Sequence, residues 1–285
     1  MPNYITKNSE AGNDIYDVLI VGGGITGLAT GLLLQQSGKK FLIAEAKNIG
    51  FGTTGGTTAH LNTVLDSPYP EIEKNFGEDA AINVFSSASQ AIDQIEKNIQ
   101  DFSIDCGYSK KNGYLFSANE KQTNELEDIF ISSNKAGCAM EWSNEIPVDI
   151  PFKKAVVFKN QAQFHPTQYL YGLAKAFEDT GGKIEQYCRI TGFKESDFLN
   201  IESTKGNIKA KALIYATHIP PGVNLLHFRC APYRIYVMGI RLKNDKYPDA
   251  LIYDMYDPYQ YYRSQQINGE NYLIAGGEDH KTGHE

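Results

Sequence analysis

The amino-acid sequence predicts an α/β fold in which a doubly wound parallel sheet is interleaved with an antiparallel-sheet α+β domain. Three observations carry this. Residues 17–44 read as strand, glycine turn, helix and strand. Residues 183–216 return to short strands after a helix that opens at Pro166. After Pro232, four strand-like runs follow one another with no helical pattern between them.

The first observation is the most local. Asp17 to Val21 is a β-branched run, and glycines follow. Ile25, Leu28, Ala29, Leu32 and Leu33 then recur at helical spacing until the stop signal Ser37-Gly38, and Phe41 to Ala44 is apolar again. A βαβ crossover of this kind is right-handed and needs a parallel sheet covered on its faces. Gly50 to Asn62, rich in Gly and Thr, is expected to run as an extended loop. Pro68 to Asn75 and Asp79 to Gln100 read as packing helices, the second with an apolar stripe from Ala80 to Ile99.

Cys106 to Lys110 and Tyr114 to Ser117, flanking Lys111-Asn112-Gly113, predict a hairpin. Asn119 to Ser133 predicts a helix capped by Asn119 and closed near Gly137. Ala155 to Phe158 is a strand, and Pro166 to Thr180 a helix with proline in its first turn. Lys183 to Tyr187, Arg189 to Glu195, Phe198 to Glu202 and Lys209 to Ala216 are strands. Ile235 to Leu242, Ala250 to Met255, Gln260 to Gln266 and Tyr272 to Ala275 form the antiparallel set. The expected organisation is therefore two discontinuous domains: residues 14–104 with 155–230, and residues 105–154 with 231–285.

Composition narrows the function classes. The 285 residues are 41 % apolar, enough for a sizeable core. A formal charge of -7, with no basic stripe, argues against a nucleic-acid partner. Apolar stretches such as Val18 to Val21 and Ile25 to Leu34 fall short of the roughly 20 residues of a membrane span. Met1 to Gly12 is polar and reads as a disordered leader, not a secretory signal, so the expected location is cytoplasmic. Cys106, Cys138, Cys188 and Cys230 lie far apart with no histidines at metal spacing. Reduced core thiols and no metal site are expected.

Gly22-Gly23-Gly24-Ile25-Thr26-Gly27 fits G-x-G-x-x-G, placed between strand and helix, with Gly31 four residues on. Gly22 makes the tight turn, Gly24 admits a pyrophosphate, and Gly27 and Gly31 let the helix approach the sheet. The helix N-terminus faces the anion. Glu45 ends the next strand, where a carboxylate accepts bonds from an adenosine ribose. This constellation predicts a Rossmann-like dinucleotide site. The run Gly52-Thr53-Thr54-Gly55-Gly56-Thr57-Thr58-Ala59-His60 adds hydroxyls and flexible amides beyond the ribose position, which suits the longer FAD better than NAD.

The glycine fingerprint, Glu45-Ala46-Lys47 and the Gly/Thr run resemble the D-amino acid oxidase-like (DAO) superfamily of FAD oxidoreductases. Gln163-Phe164-His165-Pro166 and Ala212 to Thr217 agree with that resemblance, with His218 standing where the family usually has glycine. Together with Ile274 to Gly283, these runs resemble a subgroup often fused to a C-terminal Rieske iron–sulfur domain. Neither Cys-x-His nor Cys-x-x-His occurs within residues 1–285, so such a domain is expected beyond them. Family members normally continue with a segment that closes over the flavin, and the chain accordingly looks C-terminally shortened.

The resemblance implies an FAD-dependent oxidation of an amine or amino acid by hydride transfer. It places Arg189-Ile190 at the adenine, Ala216-Thr217-His218 near the dinucleotide, and His60 near the flavin ring. In this sequence Arg234, within Pro232-Tyr233-Arg234, is a candidate for the flavin edge or a substrate carboxylate, and a structural salt bridge is an equal alternative. Tyr253 and Tyr261 belong to an aromatic cluster with Tyr256, Tyr259, Tyr262 and Arg263 that can line a pocket, though cross-strand tyrosine pairs account for it as well. His165 reads as structural, and His227 has no recognisable partner. Two other readings stay open: an NAD-dependent dehydrogenase, and a non-catalytic dinucleotide-binding fragment.

Overall fold

The structure, a computed structural model, describes residues 3–7, 14–35, 37–219 and 231–283. The expectations for His227 and Cys230, and most of the one for the leader, lie outside the described residues.

The chain begins with β1 (Ile15–Val21), α1 (Ile25–Gln35), β2 (Phe41–Ala44), α2 (Thr53–Gly56), β3 (His60–Leu61), α3 (Tyr69–Phe76) and α4 (Glu78–Asp101). It continues with β4 (Ser109–Ser117), α5 (Glu120–Ala136), β5 (Met140–Ser143), β6 (Lys154–Gln163), α6 (Pro166–Asp179) and β7 (Lys183–Glu185). The remaining elements are strands: β8 (Ile190–Glu195), β9 (Leu199–Ser203), β10 (Ile208–Tyr215), β11 (Tyr233–Ile240), β12 (Ala250–Asp254), β13 (Tyr261–Ile267) and β14 (Glu270–Lys281). These elements form two compact units, one of residues 1–57, 98–106 and 165–228, the other of residues 58–97, 107–164 and 229–285.

The first unit holds a six-stranded sheet in the order β7-β2-β1-β10-β9-β8. Its first four strands are parallel, and β9 and β8 add antiparallel at the edge. Alternation along β1 and β2 supplies both faces. Leu19 and Leu42 pack with Tyr16, Cys188, Ile201 and Ala210, while Ile20 and Ile43 reach Gly31 of α1. Gly31 is needed there because a Cβ would stand 2.9 Å from the Phe177 ring of α6. Each fully buried Leu or Ile of this core contributes about 1.5–3 kcal/mol relative to exposure.

The second unit holds an eight-stranded sheet, β11-β14-β13-β12-β4-β6-β3, with β5 paired to β6. It is mixed, not purely antiparallel as expected, because β12 runs parallel to β4. Short turns encode only the local β12–β13 and β13–β14 hairpins. The predicted hairpin at 106–117 is instead the single strand β4, irregular between Lys111 and Gly113. Asn112-Gly113 looks like a turn, but Gly113 serves packing: a Cβ would stand 2.1 Å from the Phe158 ring on β6. Residues 58–97 and 155–164 fall in this unit, not with the parallel sheet, since β6 is one unbroken strand that pairs β3, β4 and β5. β5 carried no clear strand signal. Among the described residues, no helix is long and apolar enough to cross a membrane.

Candidate functional site

In the first unit a cavity of about 850 Å³ opens at the carboxyl end of β1, at the upper end of the range typical of small-molecule sites. Its base is made by backbone. Gly22 has φ +115°, and a Cβ there would stand 2.5 Å from the Ala216 carbonyl oxygen. Gly22 N donates to Ala44 O at 2.9 Å, and Ala216 N to Val21 O at 2.8 Å, so the ends of three strands define the floor. α1 starts immediately above with no acidic residue in its first turn, leaving its positive end open to an anion. Ile25 N donates to Thr54 Oγ1 at 3.2 Å, and the same hydroxyl occupies the space beside Gly24.

Glu45 stands at the end of β2 and is oriented by two backbone donors: Gly23 N to Oε2 at 2.7 Å and Lys47 N to Oε1 at 2.8 Å. Cys188 N donates to Glu45 O and Tyr187 N to Lys47 O, both at 2.8 Å, which brings Cys188, Arg189 and Ile190 to the cavity wall. The Gly/Thr run contributes Gly50, Phe51, Gly52, Thr53, Thr54 and Thr57. It is not wholly extended as expected: Thr53–Gly56 makes one helical turn, and Gly55 N donates to Gly52 O at 3.0 Å.

A second polar group lies in the sheet-rich unit. His60 Nδ1 is 2.8 Å from Tyr253 Oη, which also receives Asn62 Nδ2 at 2.9 Å. The His60 ring meets Tyr253 and Tyr261 edge-on, at 5.3 and 4.9 Å between centroids. Burial, reinforced by the Arg263 charge, pushes the His60 pKa down to about 3, so the imidazole is neutral at physiological pH. Arg263 is buried beside it, and desolvation brings its pKa down to about 10, which leaves it cationic at neutral pH. Burial raises the phenol pKa values of Tyr253 and Tyr261.

Comparison with known proteins matches these features to a family. The family model "FAD dependent oxidoreductase" (DAO) matches residues 17–285. The chain belongs to the DAO family of FAD-dependent oxidoreductases. It is 32 % identical to the Bacillus subtilis (strain 168) protein named "Putative Rieske 2Fe-2S iron-sulfur protein YhfW", over 94 % of this chain and 53 % of that protein. It is 28 % identical to gamma-glutamylputrescine oxidoreductase of Escherichia coli (strain K12), over 70 % of this chain and 48 % of that protein. The chain thus spans about half the length of these relatives. Its fold is that of the glycine oxidase from Geobacillus kaustophilus, with TM-score 0.71 and 17 % identity over 93 % of this chain and 72 % of that one. The L-amino acid deaminase from Proteus vulgaris with its specific insertion deleted gives TM-score 0.74 and 15 % identity over 96 % of this chain and 71 % of that one.

FAD is the cofactor of the DAO family, which decides between the two dinucleotides left open by the glycine motif. The residues present suit it. A glycine floor that no Cβ would fit, a positive helix end with no acidic residue in its first turn and a carboxylate beyond it match a diphosphate and an adenosine ribose.

Of the residues singled out in the sequence, the structure gathers Gly22, Gly24, Ile25, Thr26, Glu45, Ala46 and Lys47 on the cavity, with Gly52, Thr53, Thr54 and Thr57. Arg189, Ile190, Ala216, Thr217 and His218 also line it. His218 has φ +66°, the left-handed backbone for which glycine is the default, so the chain keeps the turn at a steric cost.

Three residues are displaced from the expected set. Gly27 does not line the cavity; a Cβ there would stand 1.9 Å from Gly22 O, so it serves the close packing of α1. Thr58 is hydrogen-bonded with Tyr261, and Ala59 is buried at φ +53°. Both belong to the sheet-rich unit.

The catalytic candidates divide as well. His60, Tyr253 and Tyr261 come together. Arg234 does not join them: it is exposed on the edge strand β11, opposite His280, and the guanidinium of the cluster is that of Arg263. Tyr262 projects to the opposite sheet face, against a core of Phe116 and Ile252, and Tyr256 is exposed. His165 caps α6, its side chain accepting from Gln168 N. Val21, Cys188, Tyr215 and Ile219 also line the cavity, each the immediate chain neighbour of a residue singled out in the sequence.

Proposed function

We propose that the protein oxidises an amine or amino acid, the carbon beside the nitrogen giving up hydride to FAD. The observation that carries this is the backbone cradle at the open end of α1, closed by Glu45 and the Thr53–Gly56 turn. Relatives named for glycine, L-amino acids and gamma-glutamylputrescine support the substrate class.

Gly22, Gly24 and the first amides of α1 would hold the diphosphate, Glu45 the ribose, Arg189 and Ile190 the adenine, and Thr53, Thr54 and Thr57 the groups beyond. FAD, when bound, supplies the hydride acceptor. His60 is neutral and its neighbours are protonated phenols, so the protein's contribution is positioning and exclusion of water, not strong base catalysis.

Anaerobic mixing of FAD-loaded, full-length protein with a panel of amines and amino acids should bleach the flavin absorption. A panel that leaves the spectrum unchanged throughout would remove the reading. The relative named as a Rieske 2Fe-2S protein supports a second proposal, a Rieske domain following residue 285 in the full-length protein. Iron and acid-labile sulfide in that protein check it. Two free, buried cysteines, Cys138 and Cys188, favour a reducing, cytoplasmic location.

A further inference from the structure

Residues 3–7 are ordered against the parallel-sheet unit, whereas the sequence suggested a disordered leader there. Tyr4 and Thr6 are half-buried, and Ile5 between them is exposed. Tyr4 Oη donates to Glu178 Oε2 at 2.6 Å and Lys7 N to Glu178 Oε1 at 2.8 Å, so both oxygens of a buried carboxylate accept from the leader. The Tyr4 ring lies 5.5 Å from that of Tyr171, and Lys7 Nζ pairs with Asp179. α6 ends on two acidic residues with no basic residue in its last turn, the wrong sign for a helix C-terminus. The leader supplies donors and a cation to that end.

A second set of bonds leads from the leader to the dinucleotide cavity. Gln186 Nε2 donates to Tyr4 O at 3.0 Å, and Gln186 Oε1 accepts from Ile49 N at 2.7 Å. Asn48 Nδ2 reaches Asn3 Oδ1 at 3.3 Å. The buried Ile49 backs the glycine turn: a Cβ on Gly23 would stand 2.4 Å from Ile49 Cδ1, and Gly50 N donates to Gly23 O at 3.2 Å. Gly23 N in turn orients the Glu45 carboxylate. One amide side chain therefore joins Tyr4 to the segment 48–50 that shapes both the diphosphate turn and the position of the ribose acid. Ordering a short leader costs conformational entropy, so its docking is an equilibrium that a ligand of the cavity can bias.

We propose that residues 3–7 are a strap that sets the affinity for FAD. Docked on Glu178 and Gln186, the strap holds residues 48–50 against Gly23 and keeps the cavity in its binding shape; undocked, it releases them. Tyr4 and Gln186 are positioning residues that act on the cofactor through Ile49. The inference rests on FAD occupying this cavity and is independent of the substrate. Because coupling between two sites is reciprocal, bound FAD must also hold the strap down.

The test uses the full-length protein, stripped of FAD and retitrated by quenching of flavin fluorescence. Tyr4→Ala, which removes the ring contact and the Glu178 bond, should weaken FAD about tenfold. ADP, which shares the diphosphate and ribose but not the flavin, should lose the same factor by calorimetry. At pH 8, Gln186→Glu keeps an oxygen for Ile49 N but offers Tyr4 O no donor, so it should weaken FAD as well. Combining it with Tyr4→Ala should add little, as expected for two residues of one chain of contacts.

The strap itself gives a second readout. Lys7 is the only lysine or arginine before Lys39, so loss of residues 1–7 to trypsin, followed by mass, reports undocking. Saturating FAD should slow that cleavage about tenfold in wild type. Equal FAD affinity in wild type and Tyr4→Ala, or cleavage after Lys7 that is indifferent to FAD, would overturn the proposal. So would a Tyr4→Ala apoprotein that melts lower while both readings stay unmoved, the result expected of a brace that serves stability alone. Wild type that binds FAD no better than Tyr4→Ala would sink the strap and spare the cavity. Failure of both FAD and ADP to bind wild type would remove the cavity reading and the strap together.

Discussion

The two units build their polar sites from different material. In the parallel-sheet unit the cavity is made by backbone: glycines whose missing Cβ atoms leave room for Ala216 O and Thr54 Oγ1, strand ends, and the amides of α1. In the sheet-rich unit the site is made by side chains from strands far apart in sequence, with His60 meeting Tyr253 across 193 positions. At Gly22 and Gly24 the backbone site leaves almost no room for an added atom, whereas a side-chain site can re-pack but depends on every partner for its protonation state.

The sharpest test of this contrast is Gly27→Ala. The new Cβ would stand 1.9 Å from Gly22 O, a backbone atom that cannot swing aside, so α1 must lift from the turn. We expect a loss of about 3 kcal/mol, at the upper end for overpacking, and loss of flavin during purification. Thermal melts and the flavin-to-protein absorbance ratio check it. An unchanged ratio would show that the glycine turn is not what holds the dinucleotide.

The sheet-rich unit should respond to pH instead. The folded-state pKa of His60 is depressed to about 3 from an unfolded value near 6.5. The unfolded chain therefore binds the proton first, and stability falls as pH drops from about 6.5 towards 3. By pH 5 the His60 share amounts to at most about 2 kcal/mol, from about 1.36 kcal/mol per pH unit. Urea unfolding at pH 7 and pH 5 should show this difference shrinking in His60→Gln. An identical pH dependence in both proteins would mean that the ring is solvated.

The same contrast explains what was legible beforehand. The βαβ unit, Glu45 and most of the cavity lining could be read because glycine spacing and the strand–turn–helix pattern are local. The mixed character of the second sheet, the continuity of β4, and the choice of Arg263 over Arg234 could not. Each depends on which strand lies beside which, and Gly113 looks the same in sequence whether it makes a turn or admits the Phe158 ring. One signal was available: along β13, Tyr261, Arg263 and Gln265 alternate with residues of the other face, which puts the arginine on the tyrosine's side.

A glycine of the sheet-rich unit offers a smaller counterpart to Gly27. At Gly276 on β14 a Cβ would meet the Tyr261 ring at 2.2 Å, but a ring can rotate where a carbonyl cannot. Gly276→Ala should cost about 1–2 kcal/mol, displace Tyr261 from its edge contact with His60, and leave flavin retention unchanged. Loss of flavin in this variant would break the separation drawn between the units.

The smallest effect tests whether legibility follows locality even within the sheet-rich unit. α5 begins with Asn119, whose Oδ1 accepts from Gln122 N at 3.0 Å, a cap visible in the sequence. Gln122 returns the bond, its Oε1 accepting from Ala118 N at 2.7 Å, and its Nε2 also donates to Met255 O at 2.8 Å, 133 positions away. Asn119→Ala should therefore cost about 1 kcal/mol, the usual worth of a cap. Gln122→Ala should cost more, because it removes the local bond and the long-range one and leaves the Met255 carbonyl without that donor. If chemical denaturation ranks the two the other way, the helix start is held by its own turn alone, and in this part of the unit local sequence counts for more than strand order.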